Sequence, residues 1–269
     1  MKKLSLTVLL SMIVVVITAQ DTTSRKSPKD DKKNSRRQKV SNLIKQAEEG
    51  LLIYQKQSVF GIQGRTNGYG VFYELGRMKT NRKTAIYRID ITEIKHLKEE
   101  KSSTGGIFFG NPFIYGKINN FYQVTLGFGQ QHILGQKGNK NGVAVSVVGN
   151  AGLALGLLRP YYLEILDPVG GTNKTIKYSE ADRLIFLDGP SIVGSAGFGK
   201  GWNELKVKPG GFAKTALRFD YGRFNEVVTG IEIGLSVEFY GSKIPIMADQ
   251  KEKQMFFQGY IALLFGRRK

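Results

Sequence analysis

The stretch VAVSVVGNAGLALGL, residues 143–157, decides how this chain is read. Val143, Val145, Val147, Ala151, Leu153, Leu155 and Leu157 share one parity, with Gly149 among them. Ala144, Ser146, Asn150, Gly152, Ala154 and Gly156 share the other, interrupted by Val148. Side chains alternate across a strand, so the pattern predicts a β-strand with one apolar face and one small or polar face. Fifteen residues exceed the about five or six of an ordinary globular strand. They suffice for a tilted strand crossing a bilayer, which needs about 9–11.

Seven further segments repeat the alternation less perfectly. Phe60 and Ile62 oppose Gln63 and Arg65; Thr66-Asn67-Gly68 follows as a tight-hairpin signal. Tyr69, Val71, Tyr73 and Leu75 oppose Gly70, Glu74 and Gly76. Tyr87, Ile89 and Ile91 oppose Arg88, Asp90 and Thr92, and Tyr122, Val124, Leu126 and Phe128 oppose Gln123, Thr125, Gly127 and Gly129. Leu217, Phe219 and Tyr221 oppose Lys214, Arg218 and Asp220. Val227, Ile231, Ile233, Leu235, Val237 and Phe239 oppose Gly230, Glu232, Gly234, Ser236 and Glu238. Phe257, Ile261, Leu263 and Phe265 share the face of the last segment. No stretch holds a 3.6-residue period over an ordinary helix length.

Eight segments are the even number that a closed up-and-down barrel requires. The expectation is an all-β fold: an eight-stranded antiparallel transmembrane β-barrel over 51–269, with both termini in the periplasm. Inner connections then fall at 79–83, 131–142 and 222–225, and outer ones at 66–68, 97–119, 158–210 and 241–253. The two longest lie outside, as such barrels arrange them. A secreted β-sandwich also alternates, with its charged faces in water. In the barrel the charges fill the lumen. The candidates are Arg65, Arg88, Lys214 and Arg218 against Glu74, Asp90, Asp220, Glu232 and Glu238. This near-balance, in a chain of net charge +18, fits ion pairing in a closed interior and favours the barrel.

Ahead of the barrel lie two other segments. Lys2 and Lys3 precede an apolar run from Leu4 to Ile17, and Ala19 is a small cleavage residue, so residues 1–19 read as a signal peptide. The run is too short for a membrane-spanning helix. Residues 20–50 read as a basic periplasmic linker. Arg25, Lys26, Lys29, Lys32, Lys33, Arg36, Arg37 and Lys39 stand against Asp30 and Asp31, a composition expected to be disordered and to act as an electrostatic tether. The pattern of Val40–Gly50 fits one or two helical turns, with Gly50 as the stop.

Several blocks carry a resemblance. SVFGIQGRTNGYG at 58–70, IKHLKEE at 94–100, FIYGKINNFYQVTLGFGQQHILG at 113–135, RPYYL at 159–163, PIMA at 245–248 and the FFQGYIALLFGRRK ending are the matching stretches. Over roughly residues 50–269 the chain resembles an uncharacterised group of outer-membrane β-barrel proteins of Bacteroidota-type bacteria. The resemblance implies fold and location, and it transfers no catalytic residue.

Chemistry is sparse. The chain has no cysteine, which excludes disulfides, thiol nucleophiles and cysteine acylation, and only two histidines. His96, near Glu99, Glu100, Ser102 and Ser103, is the one candidate for acyl chemistry on lipid A; a polar rim residue is the plainer reading. His132 reads as interfacial. Gly194, Gly197, Gly199 and Gly201 mimic a phosphate loop without its strand–helix setting. Asp167, Asp182 and Asp188 are too scattered for calcium. No cofactor and no metal is expected. Export makes nucleic acid an unsuitable partner for the basic charge. Outer-membrane lipid, an anionic cell-wall polymer or another envelope protein fits it instead. The expected function is a non-enzymatic envelope structural or interaction barrel. A lipid-A-modifying enzyme and a small porin are the alternatives, the porin disfavoured because side chains fill an eight-stranded interior.

Overall fold

The computed structural model describes residues 37–38, 40–41, 54–103, 111–138, 141–167, 170–222 and 226–269. The chain divides into two units, 1–45 and 46–269. In the first, Arg37, Gln38, Val40 and Ser41 have helical backbone, so at Arg37 the end of the basic run 22–39 is helical where disorder was expected, and helix begins ahead of the expected Val40–Gly50. The signal peptide, the other tether residues and 42–50 lie outside the described residues.

In chain order the strands of the second unit are β1 Lys56–Arg65, β2 Gly68–Thr80, β3 Lys83–Ile94, β4 Lys101–Ser102, β5 Phe113–Ile114, β6 Asn119–Gly135, β7 Ala144–Pro160, β8 Tyr162–Leu166, β9 Asn173–Lys177, β10 Ile192–Ser195, β11 Lys206–Asp220, β12 Val227–Ile244 and β13 Lys253–Arg268. Eight of them close a barrel in the order β1-β13-β12-β11-β7-β6-β3-β2. Every pairing is antiparallel, and Phe60 opposite Phe265 lies on the closing seam between β1 and β13.

The period-two pattern sets the faces. Phe60, Ile62, Tyr73, Leu126, Phe128, Leu153, Ile233 and Ile261 are exposed on the outer wall, whereas Glu74, Arg88, Asp90, Asn150, Arg218 and Glu232 are buried within it. A soluble sandwich buries its apolar face; this barrel exposes it and buries its charges, the inversion expected of a wall that meets lipid. Seventeen residues of β7, at about 3.3 Å each and tilted by about 45°, reach about 40 Å along the axis, beyond the about 25 Å apolar band.

That excess changes the boundaries of the connections. β7 continues to Pro160 and β11 begins at Lys206, so the expected 158–210 loop is 161–205, and β6 continues to Gly135. Beyond the band neither strand face meets lipid, so Leu158-Arg159-Pro160 and Lys206–Gly210 carry no apolar alternation to announce them. The first hairpin also differs in chemistry. Its loop is Thr66-Asn67, and neither residue has a left-handed backbone. Gly68 instead pairs with Arg65, and a Cβ there would lie 1.9 Å from the Glu93 carbonyl oxygen, so close backbone approach explains this glycine.

The 161–205 connection is folded. β8, β9 and β10 form a sheet in the order β10-β8-β9, above a cluster of Leu163, Ile165, Ile176, Ile192, Phe186 and Phe113. Phe186 comes from a one-turn helix, Arg183–Phe186, and Phe113 from β5.

Candidate functional site

Two places concentrate chemistry: the lumen and the end of the barrel that carries the long connections. Inward parity on five strands, β1, β2, β3, β11 and β12, brings all nine lumen candidates into the interior. The centre is Arg218, whose guanidinium donates to both Glu74 oxygens at 2.7 Å and to Glu232 Oε2 at 2.6 Å through Nη2 and 2.9 Å through Nε. Arg88 donates to Glu232 Oε1 at 2.7 Å and to Asp90 at 3.2 Å, and its guanidinium lies 3.4 Å from the Phe72 ring centre. Lys214 reaches Asp90 at 2.8 Å. Nearer the long connections Arg65 pairs with Glu238 and donates to Ser236 at 2.7 Å.

Sequence parity alone left out several partners. Asp220 sits apart from the central group and pairs with Arg268 and, at 3.6 Å, with Lys137. Arg268 belongs to a terminal basic run and Lys137 to a turn, so both read as surface charge; only the inward parity that Arg268 shares with Ala262 and Leu264 signals otherwise. Gln131 accepts from Gln57 at 3.0 Å and from Arg218 at 3.3 Å, and Tyr260 donates to Glu232 at 2.9 Å. A gap lined by Arg65, Asp90, Lys214 and Glu238 has a volume of about 10 Å³, room for about one water.

Both ends are closed. At the terminal end Tyr54 is buried, its hydroxyl 2.8 Å from that of Thr84 and its ring 4.9 Å from the Arg268 guanidinium. At the far end Phe121, Tyr240, Phe256 and Phe212 pack with Ile244 and Ile246. Pro245–Ala248 crosses this mouth: the Ile246 carbonyl accepts from Ile118 N at 2.8 Å, and Ala248 N donates to the Gly116 carbonyl at 2.7 Å.

His96 lies beyond the end of β3. Its Nδ1 accepts the Lys98 amide at 3.3 Å, while its own amide donates to Glu99 Oε1 at 2.9 Å. Glu99 is otherwise committed to Lys117 at 2.7 Å. Burial, then the Lys253 ammonium, push the imidazole pKa below its ordinary value. Among the described contacts no serine hydroxyl meets His96. His132 sits in β6 opposite Lys83 and Val147. Among the described residues no cluster of His, Asp and Glu is suited to a metal ion. Gly197 and Gly201 have left-handed backbones, φ 83° and 86°, so turns account for them.

Arg159 carries no site signal of its own in the sequence. It sits on the outer wall at the far end of β7 and is only 4% exposed. Its guanidinium donates to the Phe198 carbonyl at 2.5 Å and lies 4.5 Å, 4.8 Å and 5.6 Å from the ring centres of Phe198, Trp202 and Tyr122. Trp202 stacks on Tyr122 with centroids 5.7 Å apart, and its Nε1 donates to the Phe198 carbonyl at 2.8 Å. Glu204 then accepts from Tyr162 at 2.7 Å and Lys177 at 2.5 Å, contacts that hold its carboxyl below the ordinary carboxylate pKa.

No protein-family model matches the chain, and no curated protein matches it. Among solved structures it is similar to Ail, the attachment invasion locus protein of Yersinia pestis, in complex with the heparin analogue sucrose octasulfate: 11% identity, TM-score 0.36, 81% of this chain and 100% of that one. The N-terminal β-barrel domain of Pseudomonas aeruginosa OprF gives 10% identity and TM-score 0.36 over 80% of this chain and 99% of that one. Neisserial surface protein A gives 8% and 0.38 over 80% and 96%. The chain's own strand order and inverted wall make it an eight-stranded β-barrel of the outer-membrane kind.

Proposed function

We propose that this chain is a non-enzymatic integral outer-membrane barrel that serves as a structural or interaction component of the envelope. The observation that carries the reading is the interior: a wall built for lipid encloses charges that pair with one another rather than line a channel. The connections 95–118, 161–205 and 245–252 face outward and form the interaction side. The barrel termini face the periplasm, where the basic segment 22–39 meets anionic cell-wall polymer, inner-leaflet lipid or an acidic envelope protein. The sequence blocks at 58–70 and 113–135 support kinship with the Bacteroidota-type barrel group.

Two measurements separate this reading from its alternatives. In planar bilayers the purified protein is expected to give no discrete single-channel steps; regular openings would make it a porin. For the enzyme alternative, His96→Ala is expected to leave the lipid A mass spectrum unchanged. Loss of a modified lipid A species in that strain would overturn the non-enzymatic reading.

A further inference from the structure

Arg159 is a buried cation on the outside of the barrel, and the nearby carboxylates are engaged elsewhere: Glu93 accepts from Tyr69, and Glu204 from Tyr162 and Lys177. Among the described residues it forms no salt bridge. Its contacts include three aromatic rings, the Tyr122 hydroxyl and the Phe198 carbonyl, all without formal charge, and its Nε has no hydrogen-bond partner. Ring quadrupoles and a carbonyl dipole offset part of the cost of burying the charge, but they supply no counter-charge.

The position along the wall is defined. Tyr122 is the first and Leu134 the last apolar outward residue of β6, with Asn120 before them and Gln130 and His132 between, and twelve residues at about 3.3 Å, tilted by about 45°, separate the two by about 28 Å. That spacing is close to the apolar band of an outer-membrane barrel, so Tyr122, Arg159 and Trp202 stand at one of its edges. The segment 196–205 therefore folds back from the connection onto the outer wall instead of rising from it. Gly201 permits this: its φ is 86°, and a Cβ there would lie 2.6 Å from the Pro160 carbonyl oxygen. Phe198 is 67% exposed and Trp202 38% exposed, and Lys200 between them is exposed.

We propose that the segment 196–205 with Arg159 is a binding site for the phosphate-bearing headgroup of an outer-leaflet lipid. Phe198 and Trp202 occupy the boundary between acyl chains and headgroups, the exposed Lys200 contacts the lipid phosphate, and Arg159, buried beneath the rings, adds its positive charge at short range. The site rests on the outer-membrane reading and assigns that reading a specific lipid contact.

The chain has a single tryptophan, Trp202, inside the site, so its fluorescence reports on nothing else. The full mature chain is inserted into vesicles of phosphatidylcholine with phosphatidylglycerol, and insertion is checked separately by the heat-dependent band shift. Brominated phosphatidylglycerol and brominated phosphatidylcholine are then compared as quenchers at equal mole fraction. Shallow bromines are expected to quench more than deep ones. The anionic lipid is expected to quench about two- to fivefold more steeply than the zwitterionic one, the range for about one cation at an anionic surface. Arg159→Gln and, separately, Lys200→Gln are expected to bring that ratio toward one, while Arg159→Lys retains most of it. Equal quenching by the two lipids in the native protein overturns the phosphate site. Absence of bromine quenching in a correctly inserted barrel overturns the placement of the segment as well. A protein that fails to insert contradicts the outer-membrane reading itself.

Discussion

Arg218 shows how one residue organises the interior. It is 1% exposed and shared by Glu74 and Glu232, which are fully buried. Removing one member of such a set leaves charges without partners, which costs about 3–5 kcal/mol. Arg218→Met is therefore expected to lower the unfolding free energy of the vesicle-inserted barrel, read by urea titration, by that order, and Glu74→Gln added to it to recover part of the loss. An unchanged midpoint in the single variant would show that the central ion pairs do not support the fold. The inward position of these residues was legible, because alternation assigns a face to every residue of a strand. Their pairings were not. Arg218 meets Glu74 across 144 positions of sequence, and only barrel closure brings the two together. Arg159 was illegible for another reason: it has outward parity in a strand whose outer face is otherwise apolar, and its aromatic partners come from a separate connection.

Among the elements, β7 was read most fully and the segment 161–205 least. Leu153 on β7 is 67% exposed and pairs with Leu126 on β6, which is 51% exposed. An arginine there meets lipid, at about 2–4 kcal/mol near the midplane. Leu153→Arg is expected to reduce the folded fraction sharply, and Leu153→Phe to leave it near native. Equal yields would reverse the assignment of faces. Asn150, on the opposite face, is no neutral site for arginine: it is buried, and a Cβ placed at Gly127 would lie only 2.0 Å from its Oδ1. The sheet of β8–β10 escaped notice because its strands are four and five residues long, too short for alternation to stand out. Leu163, Ile165, Ile176 and Ile192 were its only signal. Pro245–Ala248 has no alternation that would announce it, and it lies across the mouth.

For the whole molecule, the closed lumen and the basic N-terminal segment have separable roles. Deleting residues 22–39 is expected to leave insertion intact and to reduce salt-sensitive co-purification of anionic envelope material, since each cation near such a surface contributes about 1 kcal/mol. Unchanged partners at low salt would reduce the segment to a spacer. The central claim is the inverted barrel, polar within and lipid-facing without. It is tested most directly by separating the native cell envelope and running the protein unheated and heated in detergent. Recovery with the outer membrane and a heat-dependent shift of its band is the predicted result. Recovery as a soluble periplasmic protein with no shift would contradict the account.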